Sequence, residues 1–417
     1  MGLNETPLAN RTHIGFFGRR NAGKSSLLNA LTGQEIAIVS EVKGTTTDPV
    51  YKAMELLPLG PVVIIDTPGI DDTGELGELR VRRARQVLNK TDAAILVVDA
   101  ETGREQPEEE MIRLFRAKEI PFIVAYNKSD LVPERSAAPV SAEAKAGENA
   151  IAVSAKTGEN VEALKERIAL LARSEDPKLR IAADLIRGGD FVVLVTPIDK
   201  AAPKGRLILP QQQTIRDILE ADAVAIVVKE FELRETLEHL GKKPALVITD
   251  SQVFAKVSAD VPPDIPLTSF SILFARYKGF LTPAVRGVAA LDRLEDGGRV
   301  LISEGCTHHR QCDDIGRVKL PRWIKNYTHR RLEFAFSSGG EFPEDLSPYK
   351  LVVHCGGCML NEREMKYRQG CAADQGIPMT NYGVLIARIQ GILKRSIAMF
   401  PHLLAEIEDG EGDEREG

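Results

Sequence analysis

Two half-sites in the last third of this 417-residue chain carry the residue types best suited to holding a metal. The first, Cys306-Thr307-His308, follows the apolar run Val300 to Ser303. The second, His354-Cys355-Gly356-Gly357-Cys358, stands where the apolar run Leu351 to Val353 stops. Each reads as a strand end that delivers thiols and an imidazole. In an open parallel sheet, ligands gather outside the carboxyl ends of the strands, so both half-sites can face one crevice. Spacing leaves three chemistries open: structural zinc of the three-Cys, one-His type, an iron–sulfur cluster on three thiolates, or a dithiol redox pair. The last needs only Cys355 and Cys358 and leaves Cys306 and both histidines without a role. All five cysteines lie between Cys306 and Cys371, an odd number that fits metal or redox chemistry in a reducing compartment better than a disulfide framework. Cys312 and Cys371 lie outside the half-sites and read as packed or free thiols.

The N-terminal part carries phosphate chemistry. His13 to Phe17 reads as a short strand running into Gly18-Arg19-Arg20-Asn21-Ala22-Gly23-Lys24-Ser25, and a helical pattern continues from Ser26 to Leu31. A strand, a Gly-rich loop and a helix in that order make a P-loop. Backbone N–H groups from Gly18 through Ala22 and Gly23 to Ser26 curl round phosphate oxygens, Lys24 reaches the β/γ-phosphates, and the Ser25 hydroxyl ligates Mg²⁺. A buried strand, Phe122 to Tyr126, ends in Asn127-Lys128-Ser129-Asp130, which resembles the guanine-reading motif of translation-factor-like GTPases. The Asp130 carboxylate can accept from the guanine ring N–H and exocyclic amine together, a pair of donors that adenine does not offer. The resemblance has Lys128 lying along the base, Asn127 tying the loop to the P-loop, and Ser154-Ala155-Lys156 forming the last base-contacting loop. The expected ligand is GTP with Mg²⁺.

Between these motifs, Val62 to Ile65 leads to Asp66-Thr67-Pro68-Gly69, similar to the switch II entry of GTPases. There Asp66 holds Mg²⁺ through water and the Gly69 N–H senses the γ-phosphate. Lys43 to Asp48 resembles switch I of the tRNA-modification GTPase TrmE, with Thr46 as the Mg²⁺-sensing threonine. Ile70 stands where Ras-type enzymes carry a water-orienting glutamine, and an alkyl chain orients no water. Asn21 matches the asparagine with which TrmE-like enzymes hold a monovalent cation, so slow, K⁺-stimulated turnover is expected. Catalytic roles fall to Lys24, Asn21, Thr46 and Gly69, while Arg80, Arg82, Arg83 and Arg85 read as a solvated helix face.

Positioning these residues calls for an α/β chain of three domains, each a mostly parallel sheet with flanking helices. Residues 1–172 form the P-loop GTPase domain, and a charged linker leads to residues 178–264. There the apolar runs 191–195, 207–209, 224–228 and 245–248 alternate with helical stretches at 211–221 and 232–240. No site motif appears in that segment, which reads as a structural or dimerisation domain. Residues 265–404 carry the cysteines on expected strands at 299–303, 332–336 and 350–353, with helices at 270–277, 283–294, 361–369 and 382–393. The acidic, Gly-rich tail 405–417 is expected to be disordered. Arg317, Lys319, Arg322, Lys325, Arg330 and Arg331, with Trp323 and Tyr327 among them, form the one basic cluster, more suited to a solvated face or an acidic protein partner than to stacked bases. A net charge of −6 argues against a nucleic-acid partner at the level of the whole chain. The apolar runs are too short to span a bilayer and no leader pattern opens the chain, so a cytoplasmic protein that avoids membranes is expected.

A TrmE-like P-loop GTPase followed by Cys-x-His and a distant His-Cys-x-x-Cys resembles the HydF family of [FeFe]-hydrogenase maturation GTPases, over about Arg11 to His402. The resemblance implies a homodimer of GTPase, dimerisation and cluster-binding domains, with a [4Fe–4S] cluster on Cys306, Cys355 and Cys358. His308 and His354 match the family's histidines and are possible further ligands. It also implies a carrier that receives a di-iron subcluster made with the radical maturases HydE and HydG and transfers it to apo-[FeFe]-hydrogenase. The competing expectation, from the TrmE-like first domain and the basic cluster, is an RNA- or ribosome-associated GTPase with structural zinc.

Overall fold

The computed structural model describes residues 6–33, 49–70, 86–132, 149–172, 180–197, 207–305 and 314–412. Two compact units divide the chain, Met1–Pro177 and Lys178–Gly417. Among the described residues no helix is long and apolar enough to cross a membrane.

In the first unit the strands are β1 (Thr12–Phe17), β2 (Val50–Leu56), β3 (Gly60–Asp66), β4 (Ala93–Asp99), β5 (Phe122–Asn127) and β6 (Ala150–Ala152). They form one sheet in the order β2-β3-β1-β4-β5-β6, parallel except for β2, which pairs antiparallel with β3. Helices α1 (Lys24–Thr32), α2 (Gln106–Ala117) and α3 (Val161–Leu171) flank it. Because successive strand residues point to opposite faces, Phe16 joins one buried cluster with Leu27 and Leu28, and Phe17 joins the other with Ile65 and Phe115. Burial on both faces explains the unbroken apolar runs of the central strands. β2 has no such run: it lies at the edge, and most of its side chains are exposed or half-exposed.

The second unit holds two four-stranded parallel sheets. β7 (Phe191–Val195), β8 (Val224–Val228), β9 (Leu246–Thr249) and β10 (Leu267–Ser269) are ordered β10-β9-β7-β8. β11 (Arg299–Glu304), β12 (Glu333–Ser338), β13 (Leu351–His354) and β14 (Met379–Asn381) are ordered β12-β11-β13-β14. Three mostly parallel sheets with flanking helices are therefore what the chain forms. The helices of this unit are α4 (Leu209–Glu220), α5 (Leu233–His239), α6 (Phe254–Asp260), α7 (Phe270–Tyr277), α8 (Leu281–Val288), α9 (Leu320–Thr328), α10 (Glu362–Asp374), α11 (Tyr382–Ile389), α12 (Leu393–Ser396) and α13 (Pro401–Gly412). One buried apolar cluster runs through both sheets.

Three sequence expectations need correction here. Leu207 to Leu209 is no strand: Leu209 opens α4, with Pro210 in the first turn, where its missing N–H costs nothing. A boundary at 264/265 would cut the middle sheet, since β10 pairs with β9. The tail expected to be disordered from 405 is helical as far as Gly412, and Glu406 forms a two-pronged ion pair with Arg286 of α8, at 2.6 and 2.7 Å.

The two sheets of this unit are built alike. In each, the chain forms the second, first, third and fourth strand in spatial order, and the registers coincide: Val195 pairs with Thr249 and Thr249 with Ser269, as Ser303 pairs with His354 and His354 with Asn381. Gly189 and Gly297, with φ of +79° and +80°, precede the first strand of each and donate to Asp222 O and Arg331 O at 2.8 and 2.7 Å. The fourth strands run into α7 and α11 through segments, Pro266–Leu281 and Pro378–Leu393, that share Pro, Thr, Leu, Ala, Arg, Gly and Leu at matching positions. Ser269 Oγ accepts from Ile272 N at 3.3 Å and Asn381 Oδ1 from Val384 N at 2.8 Å, so the same position caps each helix. Arg276 and Arg388 pair with Asp184 and Asp292, each seven residues ahead of its first strand. Where the repeats meet, Asn381 Nδ2 donates to Ser271 O at 2.9 Å and Gly383 N to Ser271 Oγ at 3.1 Å.

Candidate functional site

In the first unit the chain leaves β1 through Gly18, whose missing Cβ would lie 2.2 Å from Val97 O of β4. Gly23, at φ +85°, likewise faces Asn127 Nδ2, 2.2 Å from where a Cβ would stand. Only glycine allows both the left-handed turn and that approach. Lys24 Nζ donates to Gly18 O and Arg19 O at 2.9 and 2.8 Å, which folds its ammonium back over the loop. Asn21 is exposed at φ +61°, Ala22 is buried, and Ser26 is exposed at the start of α1. Ser25 Oγ donates to Asp66 Oδ2 at 2.9 Å, while Asp66 Oδ1 is buried without a hydrogen-bond partner. Burial raises the Asp66 carboxyl above its ordinary value, against the Ser25 hydrogen bond and the Lys24 charge. A hydroxyl and a carboxylate with one unsatisfied oxygen, beside a phosphate loop, are hard oxygen donors of the kind Mg²⁺ takes.

After Asp66 the chain lies along the P-loop, with Thr67 Oγ1 donating to Phe16 O at 2.6 Å and Ile70 N to Gly18 O at 3.3 Å. Gly69 is half-buried between them, and Ile70 packs into the cluster around Phe17. Asn127 Nδ2 donates to Ala22 O at 3.0 Å and its Oδ1 accepts from Ala155 N at 3.1 Å, so one amide joins three loops. Lys128 Nζ donates to Asp99 Oδ2 at 2.6 Å. The exposed Asp130 accepts from Ser154 Oγ at 2.7 Å, and Lys156 is exposed beside it in sequence. Thr46 and the four arginines from 80 to 85 lie outside the described residues.

Sequence reasoning passed over Arg19. Its guanidinium is held by the fully buried Glu108 carboxylate, by Glu105 at 2.7 Å, and by Thr102 and Gly103, which fastens the P-loop to the start of α2. The available signal was Glu105-x-x-Glu108 ahead of a helical run, the capping pattern in which Glu105 N donates to Glu108 Oε2 at 3.0 Å.

In the second unit Cys355 and Cys358 follow the end of β13. Gly305 N, just past β11, and Gly357 N aim at Cys355 Sγ from 3.1 and 3.4 Å. Gly357 takes φ +64° in this turn. Burial pushes both thiols up, that of Cys358 to about 12, with the Cys355 sulfur adding to it and Lys278 opposing. A metal ion displaces such protons when it binds. Cys306, His308 and Cys312 lie outside the described residues. Among those described, no three His, Cys, Asp or Glu side chains converge as a metal site. His354 is fully buried, its Nδ1 2.7 Å from Cys355 O and its Nε2 3.0 Å from Arg368 Nη1. Burial and the Arg368 charge, against the bond to Cys355 O, lower its pKa to about 3, so the ring is neutral. In the basic cluster Arg317 lies over the Phe336 ring, Lys325 over Phe334, and Lys319 donates to Gln252.

Fold and loops together define a P-loop GTPase domain followed by a paired α/β unit whose second sheet ends in cysteines. The chain belongs to the hydrogen maturase F family: residues 181–279 match the Hydrogen maturase F dimerization domain and 282–399 the Hydrogen maturase F tetramerization domain, together more than half of the chain. Residues 13–128 match the 50S ribosome-binding GTPase family. The tRNA modification GTPase MnmE of Legionella pneumophila (strain Paris) is 40% identical over 154 residues, 36% of this chain and 32% of its own length. That of Desulfotalea psychrophila is 36% identical over 162 residues, 38% and 34% of the two chains. This chain thus spans about a third of the curated relatives it matches. Among solved structures, Era of Aquifex aeolicus bound to GDP·AlF4⁻ is 23% identical with a TM-score of 0.36, covering 55% of this chain and 98% of its own.

Proposed function

We propose that this chain is a GTP-hydrolysing scaffold of hydrogenase maturation. It carries a [4Fe–4S] cluster on Cys306, Cys355 and Cys358 and passes a di-iron subcluster precursor, made with HydE and HydG, to apo-[FeFe]-hydrogenase in the cytoplasm. The observation that carries this reading is the union in one chain of a GTPase domain with both hydrogen maturase F domains, the second of which holds Cys355 and Cys358 at a strand end. When bound, the cluster supplies an iron with a replaceable ligand, because three thiolates leave one corner of a cubane open to exchange. Around it the Gly305 and Gly357 N–H groups favour the thiolate of Cys355 over its buried thiol.

In the first unit Lys24 and the loop N–H groups hold the phosphates, and Ser25, Asp66 and Thr46 serve Mg²⁺. Gly69 senses the γ-phosphate, and Asp130 selects guanine beside Lys128, Asn127 and the Ser154–Lys156 loop. Asn21 holds K⁺, standing in for the water-orienting side chain that Ile70 cannot supply. Residues 1–172 form the GTPase domain, the dimerisation domain extends past 264 to about Gly279, and the remainder to 404 binds the cluster.

The family's dimerization and tetramerization domains point to an oligomer. Among the described residues no strand pairs with the outer edge of β8, which carries Val224 and Val227, with Phe231 79% exposed just beyond it, and this edge is what the dimer would use.

Metal analysis of protein purified without oxygen tests the central claim. Iron and sulfide in about equal amounts and a brown colour are expected; colourless protein with stoichiometric zinc would move the chain to the ribosome-associated reading.

A further inference from the structure

Arg368 of α10 is a charged side chain with no exposed surface, a rare state that requires full pairing. Its Nε and Nη2 donate to Glu364 Oε1 at 3.0 and 2.8 Å, Nη2 also to Gly339 O at 2.5 Å, and Nη1 faces Ser303 Oγ at 3.4 Å and His354 Nε2 at 3.0 Å. The Phe342 ring closes over the guanidinium at 5.1 Å. One side chain therefore touches the ends of β11 and β13, the chain just past β12, and the first turn of the helix that follows Cys358.

A guanidinium only donates, so His354 Nε2 must accept, and the ring proton must sit on Nδ1, where it is donated to Cys355 O. Both ring nitrogens are then engaged, and no lone pair is left for iron. We infer that His354 is not an iron ligand but a positioning residue for Cys355, and that Arg368 sets its tautomer and thereby the orientation of the Cys355 peptide. The inference rests on the cluster reading for its consequence and on hydrogen bonding for its geometry. Glu364 supplies the compensating charge and is itself fixed at the helix start, its N–H donating to Asn361 Oδ1 at 3.0 Å. Removing such an outer partner costs roughly ten- to a hundredfold in metal affinity.

The test uses the full chain with ¹⁵N-labelled histidine. In metal-free protein at neutral pH, NMR should show the His354 signal, assigned by its absence in His354→Gln, as the Nδ1–H tautomer. Arg368→Gln should shift it toward Nε2–H, and Arg368→Lys, which keeps a donor, should restore it. An Nε2–H ring in the wild type, or a tautomer indifferent to Arg368→Gln, overturns the inference. In the reduced, cluster-loaded protein, pulsed EPR should give the same ¹⁵N coupling in wild type and His354→Gln, and Arg368→Gln should lose iron to a chelator about tenfold more readily. A directly bound nitrogen that disappears in His354→Gln overturns it as well. Failure of the wild type to take up a cluster would instead sink the proposed function, while the tautomer measurement still decides the positioning claim.

Discussion

The two repeats of the second unit share a backbone plan and differ in what stands at the end of their third strand. After β9 comes Asp250, whose carboxylate accepts from Gln252 N at 3.0 Å and closes the strand into a helical turn. After β13 the matching position is Cys355, followed by Gly356, Gly357 and Cys358, with backbone N–H groups turned toward sulfur. The second strands differ too. β8 has only aliphatic side chains at the sheet edge, with Val224 and Val227 each 42% exposed, whereas β12 has Arg317 and Lys325 laid over Phe336, 37% exposed, and Phe334. On the proposed function, the scaffold offers a bare edge for dimerisation in the first copy and carries the cluster thiols in the second. The difference lies in a few strand-end and edge residues, because the shared core constrains only the interior.

The largest test of this contrast is at the strand ends. Cys355→Ser or Cys358→Ser should remove most of the iron from anaerobically reconstituted protein, and Asp250→Ala should remove none; all three should hydrolyse GTP normally, as read by iron analysis and phosphate release. The edges come next. Val227→Lys should weaken self-association at least about tenfold, roughly 1.4 kcal/mol, and Phe336→Lys by much less, measured by sedimentation. Equal effects would erase the division of labour between the sheets.

The capping residues give a finer comparison. Ser269→Ala should cost about 1 kcal/mol in denaturant unfolding, and Asn381→Ala about 2, since Asn381 also bonds across the repeat boundary to Ser271 O. Smallest is the Asp184–Arg276 pair. Burial raises the Asp184 carboxyl, but hydrogen bonding and charge from Arg276 carry it below its ordinary value. Its contribution is therefore present above about pH 4 and fades as pH falls toward the lowered value. Arg276→Met should cost under about 1 kcal/mol at neutral pH, because the pair is partly solvated, and should flatten the acid limb of a stability profile.

Much of the first unit was legible because its chemistry is local. Gly18 to Ser25 and Asn127 to Asp130 each place their functional atoms within one loop at the end of one apolar strand, so residue order already carries the geometry. The strand-end position of Cys355 and Cys358 was legible for the same reason. β2, β10 and β14 were not: an edge strand lacks an apolar run, and three residues cannot display a period. The 264/265 boundary failed with them, because membership of a strand in a sheet depends on its partner.

The sequence by itself thus determined the α/β class, the phosphate loop, the loop Asn127 to Asp130 at the end of β5 and the thiols at the end of β13. Only the tertiary structure decided that the second unit is a repeated plan, that Arg19 is fastened to α2, and that Arg368 lies buried among Ser303, Gly339 and His354. An arginine in a helix reads as surface until its partners are known, and these partners stand up to 65 residues away in the chain. Their convergence follows from strand order and register, which no local stretch encodes.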